Sequence, residues 1–66
     1  MKWKVMVIWN NGRQEFLKNG SSVDSLDAIF PSEQRAKEAA DFLKIGLEGY
    51  KWCGPIAVAG KAAPGN

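Results

Sequence analysis

The stretch KWKVMVIWNNGRQEFLK, Lys2 to Lys18, decides how this chain folds. Lys2 to Asn10 is rich in valine, isoleucine and tryptophan, side chains that suit a pleated, half-buried strand. Asn11-Gly12 follows, the strongest short-range hairpin signal, because both central residues of a type I′ turn need positive φ. Arg13 to Lys18 then returns as the second strand. With Asn11 and Gly12 as the two loop residues, Asn10 faces Arg13, Val7 faces Phe16 and Met6 faces Leu17. Strand alternation sorts the side chains onto two faces. One face holds Trp3, Val5, Val7, Trp9 and Phe16. The other holds Lys2, Lys4, Met6 and Ile8, with Arg13, Glu15 and Leu17 opposite.

Outward from the hairpin, Asn19-Gly20-Ser21-Ser22 reads as a turn. Leu26 to Phe30 is compatible with a third short strand, stopped by Pro31. Ser32 is placed as a helix N-cap, and Glu33 to Ile45 predicts a helix of strong formers without internal glycine or proline. Ala36, Ala39, Ala40, Leu43 and Leu47 recur at helical spacing, with Phe42 widening the stripe. Glu33 and Lys37 have the favourable i,i+4 orientation. Gly46 is expected at C′ in left-handed conformation. Tyr50 to Cys53 is extended-compatible, Gly54-Pro55 interrupts it, and Ile56 to Ala59 predicts a final short strand at an edge or bulge. The expected fold class is α+β: a small antiparallel sheet, hairpin first, with one helix on one face, in the order β-β-(β)-α-β. Residues 1–59 form the expected single domain and 60–66 a disordered tail.

Composition narrows the chemistry. Sixty-six residues, 45% hydrophobic and 24% charged, describe one small globular domain in which only about 60% of the unfolded surface can be buried. There is no histidine and only one cysteine. Imidazole acid–base chemistry, an intramolecular disulfide and a cysteine/histidine zinc site are therefore excluded within this chain. The longest apolar run, Val5 to Trp9, is far short of the ~20 residues of a membrane span, and Asn10 to Arg13 interrupt any leader-like region. A cytoplasmic location is the expectation. Charge is uneven. Residues 1–20 carry net +3, residues 21–50 net −3, and Lys51 and Lys61 complete the total of +2.

No constellation points to catalysis. Trp52-Cys53-Gly54-Pro55 resembles the start of the thioredoxin redox motif, but Ile56 stands where the second cysteine belongs and a strand-like run follows instead of a helix. Cys53 is read as a buried thiol at a strand bend. Ser21 and Ser22 have no histidine to activate them. Asp24 and Asp27 lack the glycine and further oxygen ligands of a calcium loop. The glycines are dispersed at turns and form no phosphate cradle. No cofactor, metal or small-molecule substrate is implied.

A single helix covers one sheet face and leaves the other open. The small-residue helix stripe suits the tryptophan-rich face, which exposes Met6, Ile8 and Leu17, rimmed by Lys4, Arg13 and Glu15. An apolar patch with a charged rim on a small protein marks an interface. These six residues are the candidate protein-binding site. The alternatives are a nucleic-acid-binding hairpin using Lys2, Lys4, Trp9 and Arg13, with indole stacking platforms, and a homodimer that closes the two sheet faces together. In size, absence of catalytic residues and hairpin–helix–strand layout, the chain resembles small accessory proteins of phages and mobile elements, including anti-CRISPR inhibitors. The resemblance spans layout, not residues, and assigns no site. It implies stoichiometric binding to a larger host complex.

Overall fold

A computed structural model describes residues 2–20, 22 and 24–58. Strand β1 (Lys2–Trp9) is followed by β2 (Gln14–Phe16), helix α1 (Glu33–Lys44) and β3 (Tyr50–Val58). The three strands form one antiparallel sheet in the order β2-β1-β3, so the chain is α+β with its first strand at the centre. The sequence-read tail 60–66 and Ala59, Ser21 and Val23 lie outside the described residues.

The hairpin turn differs from the two-residue expectation by one residue, and that difference changes a face. The Gly12 N–H donates to the Trp9 carbonyl at 2.8 Å, and the Trp9 N–H to the Arg13 carbonyl at 2.8 Å. Only glycines have positive φ among the described residues, and Gly12 stands at +89°. This is a three-residue loop, Asn10-Asn11-Gly12, in which a turn is completed by a left-handed glycine. The Asn11 side-chain oxygen accepts from the Arg13 N–H at 2.9 Å and fixes the return. Register follows: Met6 pairs with Phe16, Val7 with Glu15 and Ile8 with Gln14. A one-residue slip exchanges the two faces of a strand. Phe16 therefore moves to the face of Met6. Arg13, Glu15 and Leu17 move to the other.

β3 runs unbroken through Gly54-Pro55, where the sequence predicts an interruption. The reason lies in the ladder. Trp3 exchanges backbone bonds with Phe30, and the Val5 and Trp9 backbones bond to Leu17 and Arg13. The odd residues of β1 thus turn their polar groups away from β3. Pro55 sits opposite Val5, on an edge strand, where its missing N–H costs no bond to β1. Lys51 is the extra residue of a bulge, between Trp52 opposite Ile8 and Tyr50 opposite Trp9.

The bracketed third strand is not an element of the sheet. Residues 26–30 touch it through one single bridge, Trp3 with Phe30, and a second bridge ties Asp27 to Lys18 just beyond β2. Ala28 donates to the Leu17 carbonyl at 2.9 Å, and Asn19 to that of Leu26 at 2.8 Å. Ala28 is buried, whereas Leu26 is 78% exposed.

Helix α1 begins as expected, with the Ser32 hydroxyl accepting the Arg35 N–H at 3.2 Å. It buries Ala36 and Ala40 on Val5, Val7 and Cys53, with Trp3, Trp9, Leu17, Phe30, Leu43, Leu47 and Tyr50 packed around them. Alanines let the helix axis approach the sheet, and the aromatic side chains fill the flanks. Phe42 departs from the stripe and is 78% exposed. It lies two residues beyond Ala40, about 200° around the helix, and points away from the sheet. Lys37 pairs with Asp41 at 3.4 Å, the acid on its C-terminal side, instead of Glu33. Ile45 ends the helix in right-handed conformation, and the left-handed glycine is Gly49, not Gly46.

Candidate functional site

The sheet has one face under α1 and one face uncovered by any described element. Alternation along β1 turns Lys2, Lys4, Met6 and Ile8 to the uncovered side. Their partners across the ladders are Phe16 and Gln14 on β2, and Val58, Ile56, Gly54 and Trp52 on β3. The result is a contiguous apolar floor of Met6, Ile8, Phe16, Trp52, Ile56 and Val58.

Gly54 shapes its middle. The Trp52 indole lies along the strand so closely that a Cβ on Gly54 would stand 2.7 Å from its ring. Only glycine leaves room for that indole, which remains 42% exposed. The remaining apolar side chains of the floor are half-buried against one another.

One end of the face is organised around a carboxylate. Asp27 accepts from Lys4 Nζ at 2.8 Å and from Lys18 Nζ at 2.6 Å. Both hydrogen bonds, Lys18 first, hold the Asp27 carboxyl below its ordinary value of 3.8. Lys4 Nζ also lies 4.8 Å from the centre of the Phe16 ring, within cation–π range. Two lysines share one acid, so this corner keeps a positive charge. Lys2 adds another along the same strand face, exposed. Ile29, 46% exposed, alternates with the inward Ala28 and Phe30 and so falls on the side of Asp27 and Lys4.

Of the six residues proposed from sequence, the structure brings together Met6, Ile8 and Lys4. The register separates the other three. Leu17 packs against the core behind the sheet. Glu15 accepts the Trp9 indole N–H at 2.9 Å and pairs with Arg13 at 3.2 Å, beside the hairpin loop on the helix side. Trp9 and Arg13 therefore stand on the opposite face from Lys2 and Lys4, and the four residues of the nucleic-acid reading do not form one surface. Sequence reading missed Phe16, Trp52, Ile56 and Val58. Trp52 and Ile56 share one strand face at i,i+4, a signal that exists only if the strand continues through Gly54-Pro55.

Other candidate groups are accounted for. Cys53 is buried, its thiol directed at the Ala40 carbonyl 4.0 Å away, and burial raises its pKa above the ordinary value. Asp27 is engaged by lysines and not by Asp24. A separate apolar spot lies at the helix C-terminus, where Phe42 and Ile45 are 78% and 83% exposed above Leu43 and Leu47. Comparison of the chain with protein-family models, curated proteins and solved structures finds no match in any of the three.

Proposed function

We propose that this protein is a non-enzymatic protein-binding module, an inhibitor or regulator of a larger complex, that docks through the uncovered face of its sheet. The observation that carries the reading is the continuous apolar floor of Met6, Ile8, Phe16, Trp52, Ile56 and Val58 beside a partly buried, net positive corner. Interface anchors are typically aromatic and aliphatic side chains near the centre of a patch, with charged groups orienting the partner from its rim. Trp52, Phe16, Met6 and Ile8 take the anchoring role, and Lys2, Lys4 and Lys18 the orienting one. The geometry favours this reading over nucleic acid because Lys2 and Lys4 are divided by the sheet from Trp9 and Arg13.

Affinity capture from host lysate tests it, using wild type and Ile8→Glu, with and without nuclease, and circular dichroism to confirm that both baits are folded. A discrete protein that survives nuclease and is lost with the folded variant is the expected result. Capture that disappears on nuclease treatment and persists with Ile8→Glu would overturn it.

A further inference from the structure

We infer that the partner element seated on the uncovered face is an amphipathic helix whose apolar stripe is flanked by acidic side chains. This rests on the docking reading and names the chemistry of the occupant.

The sheet edges disfavour a partner strand. An extended partner strand needs a row of free backbone donors and acceptors. β2 offers three residues, and the chain beyond it is already bonded, Leu17 to Ala28 and Asn19 to Leu26. On the β3 edge the outward positions are 53, 55 and 57; the central one is a proline with no N–H, and Lys51 forms a bulge, so the row is interrupted twice. Both edges are blunted against strand addition. A segment laid across the apolar floor instead must satisfy its backbone polar groups internally, which a helix does. α1 already covers the other face in this way.

Charge selects the flanks of the partner helix. Among the described residues of the sheet and its flank, the uncovered side presents Lys2, Lys4 and Lys18 against the carboxylate of Asp27. The acids of α1, Glu33, Glu38 and Asp41, belong to the layer on the opposite side of the sheet. A second copy presenting the same face brings the same excess of lysines and, among the described residues, no carboxylate but the already engaged Asp27, so it does not complement this rim. Acidic residues flanking an apolar stripe complement this rim; basic ones oppose it.

A display library of random peptides about 20 residues long, enough for ~30 Å of helix, tests the inference. It is selected against wild type, and the enriched peptides are then measured on Ile8→Glu, Trp52→Gln and Lys2→Glu, each checked for folding. We expect apolar residues at i, i+3 or i+4 and i+7 with aspartate or glutamate beside them. Affinity should fall about tenfold or more on the apolar variants. It should fall roughly two- to fivefold on Lys2→Glu, and weaken as salt rises. Trp52→Gln carries the test should Ile8→Glu fail to fold. Peptides that depend on Ile8 or Trp52 but alternate with period two, or carry basic flanks, overturn the helix inference and leave the docking face standing. Enriched peptides indifferent to both residues overturn both. Two parallel assays also overturn the inference if positive. One is cosedimentation with phosphatidylserine–phosphatidylcholine vesicles, lost in Trp52→Gln. The other is a concentration-dependent dimer in sedimentation equilibrium, lost in the same variant.

Discussion

Asp27 accepts from two lysines reaching it from different parts of the chain, Lys4 in β1 and Lys18 beyond β2. Its carboxyl is held below the ordinary aspartate value by those bonds. The resulting stabilisation is fully present above the unfolded pKa and is lost as pH falls through the lower, folded one. We therefore expect Asp27→Asn to lower the thermal midpoint at neutral pH, with the gap to wild type closing as both are acidified below about pH 4. A melting series across that range checks it. Gly12 is the second residue on which the architecture turns. Its φ of +89° suits glycine, so Gly12→Ala is expected to cost about 1 kcal/mol in denaturant unfolding. Gly46→Ala, at a position without positive φ and with open space around a Cβ, is expected to be neutral or slightly stabilising.

Among the elements, α1 shows where sequence reading succeeds. Ser32, the alanine stripe and the absence of breakers are local signals, and the helix follows them from Glu33 to Lys44. Ala40 is 1% exposed against the sheet, and Ala40→Leu is expected to cost about 1–3 kcal/mol by overpacking. Phe42→Ala should change stability by less than about 0.5 kcal/mol, because the ring is 78% exposed and buries little area. Chemical denaturation of the two variants separates these expectations. The hairpin was equally legible as an element, but not its register. Asn10-Asn11-Gly12 permits both a two-residue and a three-residue loop, and the choice depends on which pairing buries Leu17 and frees Phe16. That is decided by contacts with α1 and residues 26–30, distant in sequence. Local proline chemistry likewise cannot reveal that Pro55 faces a free edge, so β3 read as two pieces.

At the scale of the whole molecule, one helix, three strands and two blunted edges leave a single apolar sheet face uncovered by the described elements. Met6 and Ile8 were visible in the sequence as its centre. Phe16, Trp52, Ile56 and Val58 join them only once the strand order and both registers are known. Gly54→Ala tests the shape of that face, because a methyl group there displaces the Trp52 indole. It should weaken partner capture while the fold persists. Two adjacent residues report the register most directly, Phe16 on the uncovered face and Leu17 behind the sheet. Thermal melts and partner capture with Phe16→Glu and Leu17→Glu measure that assignment. The predicted result is a folded Phe16→Glu protein that captures no partner and a Leu17→Glu protein that melts far below wild type or does not fold. An unfolded Phe16→Glu beside a Leu17→Glu that melts like wild type would contradict it.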